Sequence, residues 1–315
     1  MEVGGELERV CADLNAAIAM AEAEGYRLDI IYPADDPHEA ILSGPGGSLR
    51  LTTRPGAPRP SDEWPPFEPE FVLTRAADDG GAGRAGMRYR DLIPSRLGGR
   101  YIASHITIPG DGPVADWVHY HRIAFQIIAV RSGWVRVVYE DQGEPFVIRA
   151  GDIVLQPPGI RHRVLDSGDD LEVIEIGAPA LHETFADHDI VLPTGRLDAT
   201  RDFGGQRFLR HVAGDTEWTP FGGGEAQQTA MLDATSGLAD VRIVRGRTIT
   251  FSPHVGELTF GFVLSGFAQL VFGDAMSIGP ADAFVIPPRE AWSITAGSDD
   301  FRLLHVSTAE LRQFA

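Results

Sequence analysis

Residues Trp117–Val164 read WVHYHRIAFQIIAVRSGWVRVVYEDQGEPFVIRAGDIVLQPPGIRHRV, and this stretch decides the fold. Two histidines one residue apart, His119 and His121, precede Gln126, a glycine turn at Ser132-Gly133, the run Pro157-Pro158-Gly159, and His162. Successive side chains on an extended strand alternate between faces, so His119 and His121 point the same way while Tyr120 points away. Gln126 and His162 come from later strands and converge on that face if the sheet curls into a barrel. Three imidazoles and one amide oxygen make a neutral, mostly nitrogen site suited to a divalent transition metal. The plainer reading, polar residues scattered over the strands of a sandwich, suits a lone histidine. Three histidines and a glutamine at this spacing weigh for metal.

These residues resemble the two motifs of the cupin superfamily. The first motif is a Gly, then HxH, an acidic or amide residue and a Gly; the second is a Gly, then PxG and a His. Here the first reads His119-Tyr120-His121, Gln126, Gly133, with Asp116 near the place of the leading Gly. The second reads Gly151-Asp152, Pro157-Pro158-Gly159, His162. The resemblance implies a jelly-roll β-barrel and one divalent transition metal, iron, nickel, zinc or manganese, held by His119, His121, Gln126 and His162. The commonest fourth ligand in the family is Glu, so Gln126 is a departure that bears on mechanism.

At 315 residues with 43% hydrophobic content, the chain is long enough for two or three compact units with sizeable cores. Its 36 glycines and 22 prolines suit a turn-rich β protein. A net charge of −18 argues against nucleic acid or an anionic membrane surface as the main partner, indicates solubility and says little about the fold. A single cysteine, Cys11, excludes an intramolecular disulfide framework and fits a reducing cytoplasm. The N-terminus is acidic and lacks the order of a signal peptide, and no apolar run reaches the roughly 18 residues of a membrane span.

In chain order, residues 6–24 carry apolar positions at helical spacing (Leu7, Val10, Leu14, Ile18, Ala21), with Gly25 as C-cap. Strand-like runs follow at Tyr26–Tyr32, Ala40–Leu42 and Ser48–Thr52, so residues 1–55 form a small α+β segment. His38 falls in a polar turn and reads as solvated. Residues 56–86 are a linker, rich in proline at its start and loose at Gly80–Gly86. From Met87, short strands at regular spacing, among them Arg100–Ile108, Phe125–Val130 and Val135–Tyr139, predict a barrel over 87–178. Residues 179–206 form a connector whose His182 and His188 read as surface residues.

An internal repeat completes the architecture. VRSGWVRVVYED at 130–141 returns as VLSGFAQLVFGD at 263–274, and AGDIVLQPPGIRHRV returns as GPADAFVIPPREAWSI at 279–294. In this alignment Ser252, His254, Thr259 and Trp292 stand opposite His119, His121, Gln126 and His162. The second copy, 207–315, keeps the turn and strand signals, which need no metal, and loses three of four ligands. The fold expected is mainly β: two tandem cupin (jelly-roll) barrels after a small N-terminal α+β segment, the first barrel binding metal and the second plugged by Trp292. A homodimer through sheet edges is expected, as cupins often form.

Four neutral donors leave the metal its full double charge, and Gln in place of Glu strengthens Lewis acidity and raises the reduction potential. The ligand set resembles that of cupins that process unsaturated uronates and of cupin polyketide cyclases, which implies tautomerisation, ring opening or cyclisation on a small oxygen-rich or aromatic carbonyl compound. The competing resemblances are to two-barrel iron dioxygenases that open aromatic rings or cleave flavonols, and to non-catalytic small-molecule-binding bicupins. Strand parity places Trp117 on the face of His119 and His121, as a pocket residue. His105 and Glu175 are candidate acid/base residues, and Arg100 and Tyr101 candidates for orienting a substrate.

Overall fold

The structure, a computed structural model, describes residues 7–78, 81–82 and 87–311. Its first barrel is built around two long antiparallel strands, Phe125–Tyr139 and His162–Ala178, paired over nearly their whole length. The sequence suggests two strands parted by a turn at Ser132-Gly133. Instead one strand runs through, with register shifts between Val130 and Trp134 and again at Arg136/Val137. A single left-handed residue (Gly133, φ 71°) makes a bulge rather than a reversal, and the bulge bends the strand so that it serves both layers of the barrel. Only glycine fits there: a Cβ would lie 2.5 Å from the Gly168 carbonyl oxygen.

The second barrel repeats this construction. Val130 N donates to Asp152 O at 3.0 Å and Gly151 N returns to Val130 O at 2.9 Å; Val263 N donates to Asp282 O at 2.9 Å and Ala281 N to Val263 O at 2.8 Å. Gly266 (φ 72°) occupies the bulge position of Gly133. The repeated letters are therefore a repeated hydrogen-bond pattern. Two tandem cupin barrels follow the N-terminal α+β segment, as the sequence predicts. They share one apolar core, in which Phe125 and Ile127 of the first pack in the same cluster as Phe260 and Phe262 of the second.

Sheet membership crosses the boundaries drawn from the sequence. Val72–Thr74, inside the linker, pairs with Ala283–Val285 of the second barrel, while Leu209–His211, assigned to the second barrel, pairs with Ile153–Gln156 of the first. The N-terminal helix is shorter than its apolar spacing suggests, running Leu14–Ala23 with Asp13 as N-cap, Oδ1 accepting from Ala16 N at 3.0 Å. Leu7–Val10 is a strand, paired in parallel with Gly47–Thr52. The segment is not a separate appendage: Arg27–Tyr32 pairs with Thr184–Ala186, which pairs in turn with His119–His121. His38 and His182, expected at the surface, are buried at 7% and 1% exposure, because the loops carrying them pack between this segment and the barrel. His188 is exposed, as expected.

Candidate metal centre

His119 and His121 lie on one short strand with Tyr120 between them facing away, where it stacks on Phe185. His162 opens the strand opposite, in register with His119. All three are buried, and their ligand atoms lie within 4.8 Å of one another, close enough for one ion to reach all three. The hydrogen bonds around them select the tautomer. His119 Nδ1 is 2.8 Å from Trp117 O and His162 Nδ1 is 3.0 Å from Ile160 O, each a carbonyl two residues upstream. A carbonyl only accepts, so both Nδ1 atoms carry the hydrogen and the ring lone pairs sit on Nε2. His121 Nδ1 meets Thr184 Oγ1 at 3.0 Å. Imidazoles fixed by outward Nδ1–H bonds are the arrangement a metal-binding histidine requires.

Gln126 enters the same cavity from the long strand, in register with Gln156 on one side and Gly177 on the other. Its Nε2 donates to Glu175 Oε1, which orients the amide, and its Oε1 is buried without a hydrogen-bond partner. A buried carbonyl oxygen left so costs about 1–3 kcal/mol. A cation at roughly 2.0–2.2 Å can meet such an oxygen. The donor set therefore fits a divalent transition metal.

The cavity measures about 100 Å³. Beyond the histidines, Gln126, Glu175, Gln156 and Tyr139, its wall is almost wholly aliphatic, and among the described residues no arginine or lysine lines it. Gln156 Nε2 donates to the Tyr139 hydroxyl at 2.8 Å, and burial pushes that hydroxyl's pKa well above its ordinary value.

Of the other residues singled out in the sequence, Glu175 is here and four are elsewhere. Trp117 packs edge-on against His119 at 5.2 Å and joins the core of the N-terminal segment, bracing the ligand from outside the cavity. His105 points to the barrel–barrel interface: its Nε2 lies 2.7 Å from Glu172 and its ring 5.5 Å from that of Phe262. Arg100 forms a two-pronged pair with Glu257 at 2.9 and 2.7 Å, and Tyr101 donates to the same carboxylate at 2.9 Å. Both tie the barrels together and neither lines the pocket. Only His105 is on a strand, Ile102–Ile108, on its face away from the cavity; Arg100 and Tyr101 precede that strand and Trp117 precedes His119–His121, where strand alternation does not govern them. Tyr139 and Gln156 could have been found by phase with Val137 and Val154, but nothing local marks Thr184, which lies in the connector.

In the second barrel Trp292 stacks on Phe251 at 3.7 Å, within a core cluster, and Ser252, His254 and Thr259 line a mouth of about 380 Å³. His254 Nε2 is bonded to Thr308 O at 2.6 Å, and Glu257 is committed to Arg100.

Fold and site together define a two-barrel cupin with a three-histidine candidate metal centre in its first barrel. Residues 104–177 match the family model of the cupin domain. Among solved structures, the oxalate decarboxylase of Bacillus subtilis is similar at TM-score 0.55 and 12% identity, covering 80% of this chain and 79% of that one. A second structure of the Bacillus enzyme, concerned with its Mn(II) centres, gives the same score and identity over 80% of each chain. The Lactobacillus farciminis oxalate decarboxylase in its formate complex is similar at 0.53 and 15%, covering 77% and 87%. At these identities the likeness is one of fold. No curated protein matches the chain in sequence. Among the described residues no helix is long and apolar enough to cross a membrane.

Proposed function

We propose that the first barrel is the active site of a metal-dependent enzyme acting, without redox change, on a small carbonyl compound with an apolar body: an isomerase, lyase or cyclase. The observation that carries this is the wall of the cavity, which gathers three imidazoles, two amides, one carboxylate and two phenols among mostly aliphatic side chains. His119, His121 and His162 would hold the ion through Nε2, and Gln126 would complete the set through Oε1. A divalent ion held by neutral donors supplies Lewis acidity to a substrate oxygen.

The chain's own groups supply the proton chemistry. Glu175, held by Gln126 Nε2, presents a carboxylate in apolar surroundings, suited to take a proton beside a carbonyl. The Tyr139 hydroxyl accepts from Gln156 and keeps its own hydrogen, which it can direct at a substrate oxygen. The aliphatic wall excludes bulk water while the proton moves. His105, Trp117, Arg100 and Tyr101 take no part in this reading.

The structurally similar enzymes act on oxalate, a dianion. Among the described residues no arginine or lysine lines this cavity to receive a second carboxylate, and that wall favours a neutral or singly charged compound instead. The Mn(II) of the Bacillus enzyme makes manganese the first ion to load.

The test is turnover of enolisable dicarbonyl and hydroxy-ketone compounds by metal-loaded protein, with and without oxygen. Zinc should support the reaction, and excluding oxygen should change nothing. Strict oxygen consumption with iron alone would replace this reading by the ring-cleaving dioxygenase, and ligand binding without turnover by the non-catalytic bicupin. His121→Ala retaining a full equivalent of metal would sink the centre itself. Association into a homodimer belongs to the same reading, supported by the outermost strand Leu7–Val10, which exposes Leu7 and Val10. A solution mass near 34 kDa would count against it.

A further inference from the structure

The N-terminal segment reaches the metal cavity. Ile31, Thr184 and His121 stand in one row across three paired strands. Three residues past Ile31, in the loop between Arg27–Tyr32 and Glu39–Gly44, Ala34 is 9% exposed and lines the cavity of the histidines. Its neighbours Pro33, Asp35 and Asp36 line a second, larger cavity of about 470 Å³, walled on its other sides by the proline-rich linker and by Pro179–Leu181. The loop is thus a thin partition between two cavities. It is fastened to the first barrel: Arg96 donates to Asp35 at 2.6 Å and also pairs with Asp91 at 2.7 Å, and the Asp35 side chain is 9% exposed. Asp36 pairs with Arg54 at 2.6 Å, two residues past the segment's strand Gly47–Thr52.

We infer that this partition decides what reaches the metal. The larger cavity is the vestibule, the methyl group of Ala34 sets the width of the passage, and the Asp35–Arg96 pair keeps it closed. The inference rests on reading the first barrel as a metal site, and it assigns the N-terminal segment a part in selecting substrate. Compounds admitted are small dicarbonyls narrow enough to pass a methyl-sized side chain; a bulkier residue at 34 shuts them out and a smaller one admits broader ones.

The experiment uses the full chain loaded with Co(II) and measures two things: the rate at which pyridine-2,6-dicarboxylate strips the ion, and the change in cobalt absorption on adding acetylacetone or the bulkier dibenzoylmethane. Ala34→Phe should slow stripping and abolish the acetylacetone response at unchanged metal stoichiometry. Ala34→Gly and Asp35→Asn should speed stripping, by about tenfold for loss of a partly buried ion pair, and should admit dibenzoylmethane. Stripping at the unaltered chain's rate in both Ala34→Phe and Asp35→Asn overturns the inference. Where Ala34→Phe fails to fold, the near-isosteric Asp35→Asn decides alone. A chain that takes up no cobalt defeats the metal reading, and the partition is then tested as the guard of the histidine cavity alone. Labelling of His121 and His162 by diethylpyrocarbonate, followed by mass spectrometry, then reads the partition directly: the same order of rates is expected, and equal rates across the variants overturn it.

Discussion

Thr184→Val should weaken metal binding in the first barrel by about 10–100-fold, the range for losing a partner that orients a ligating histidine. Thr184 is 1% exposed and stands in register with His121, its hydroxyl 3.0 Å from Nδ1. Valine has the same shape, so packing is conserved and one buried hydrogen bond is deleted. That deletion costs about 1–3 kcal/mol. At about 1.4 kcal/mol per tenfold, the expected loss of affinity corresponds to about 1.4–2.8 kcal/mol. The bond orients the imidazole in both metal-free and loaded chains, so the metal-free chain should lose about 1 kcal/mol of stability as well. The loss of affinity comes in addition, because a ring released from its Nδ1 partner no longer holds Nε2 on the ion. The assay is competition for Zn(II) against a fluorescent chelator, with urea unfolding of the metal-free chain alongside. Thr184→Ser, which restores the hydroxyl, should recover most of the affinity. Unchanged affinity in Thr184→Val with the usual metal-free stability would refute the argument that the Nδ1 bonds organise this centre.

Gln126→Glu should retain metal but slow the proposed reaction, since it replaces the Gln126–Glu175 hydrogen bond by two facing carboxylates, one of which must take a proton; single-turnover rates against pH check it. Trp292→Ala should destabilise the chain by about 3–5 kcal/mol while leaving metal stoichiometry unchanged, read by unfolding and elemental analysis, because Trp292 is buried in the second core only. Burial, with Arg242 and His254 nearby, holds His305 neutral down to about 3 from an ordinary 6.5. Its contribution to stability is therefore complete above pH 6.5 and is lost as pH falls through 3, and His305→Gln should flatten that part of the metal-free stability profile. The hydrogen bond from His105, with Arg131 beside it, brings Glu172 down to about 2 from 4.5. Stability from this pair is present above pH 4.5 and lost towards 2, and Glu172→Gln should remove that acid limb in the same titration.

What the sequence discloses here is what strand parity and turn chemistry fix locally. The face shared by His119 and His121 follows from alternation alone, and the twin bulges at Gly133 and Gly266 follow from glycines that no other residue could replace without meeting a backbone carbonyl or the Phe301 main chain. The failures have one physical origin: a two-barrel chain has two interiors, a cavity and a barrel–barrel interface, and apolar alternation marks both. On Ile102–Ile108, Ile106 and Ile108 line the cavity in register with Val173 and Leu171, so Ser104 shares their phase opposite Glu175. His105 is on the other phase and meets Phe262 of the second barrel instead. The strand's own isoleucines thus hold the information that excludes His105 from the cavity, once one knows which apolar phase faces the metal. On Phe125–Tyr139 even that rule fails without the structure. Gln126 and Ile128 line the cavity before the bulges and Val135, Val137 and Tyr139 after them, because a one-residue slip exchanges the faces. Thr184 and Ala34 lie beyond any such rule: they arrive at the site through pairings of the connector and the N-terminal segment, contacts that neither period nor propensity encodes.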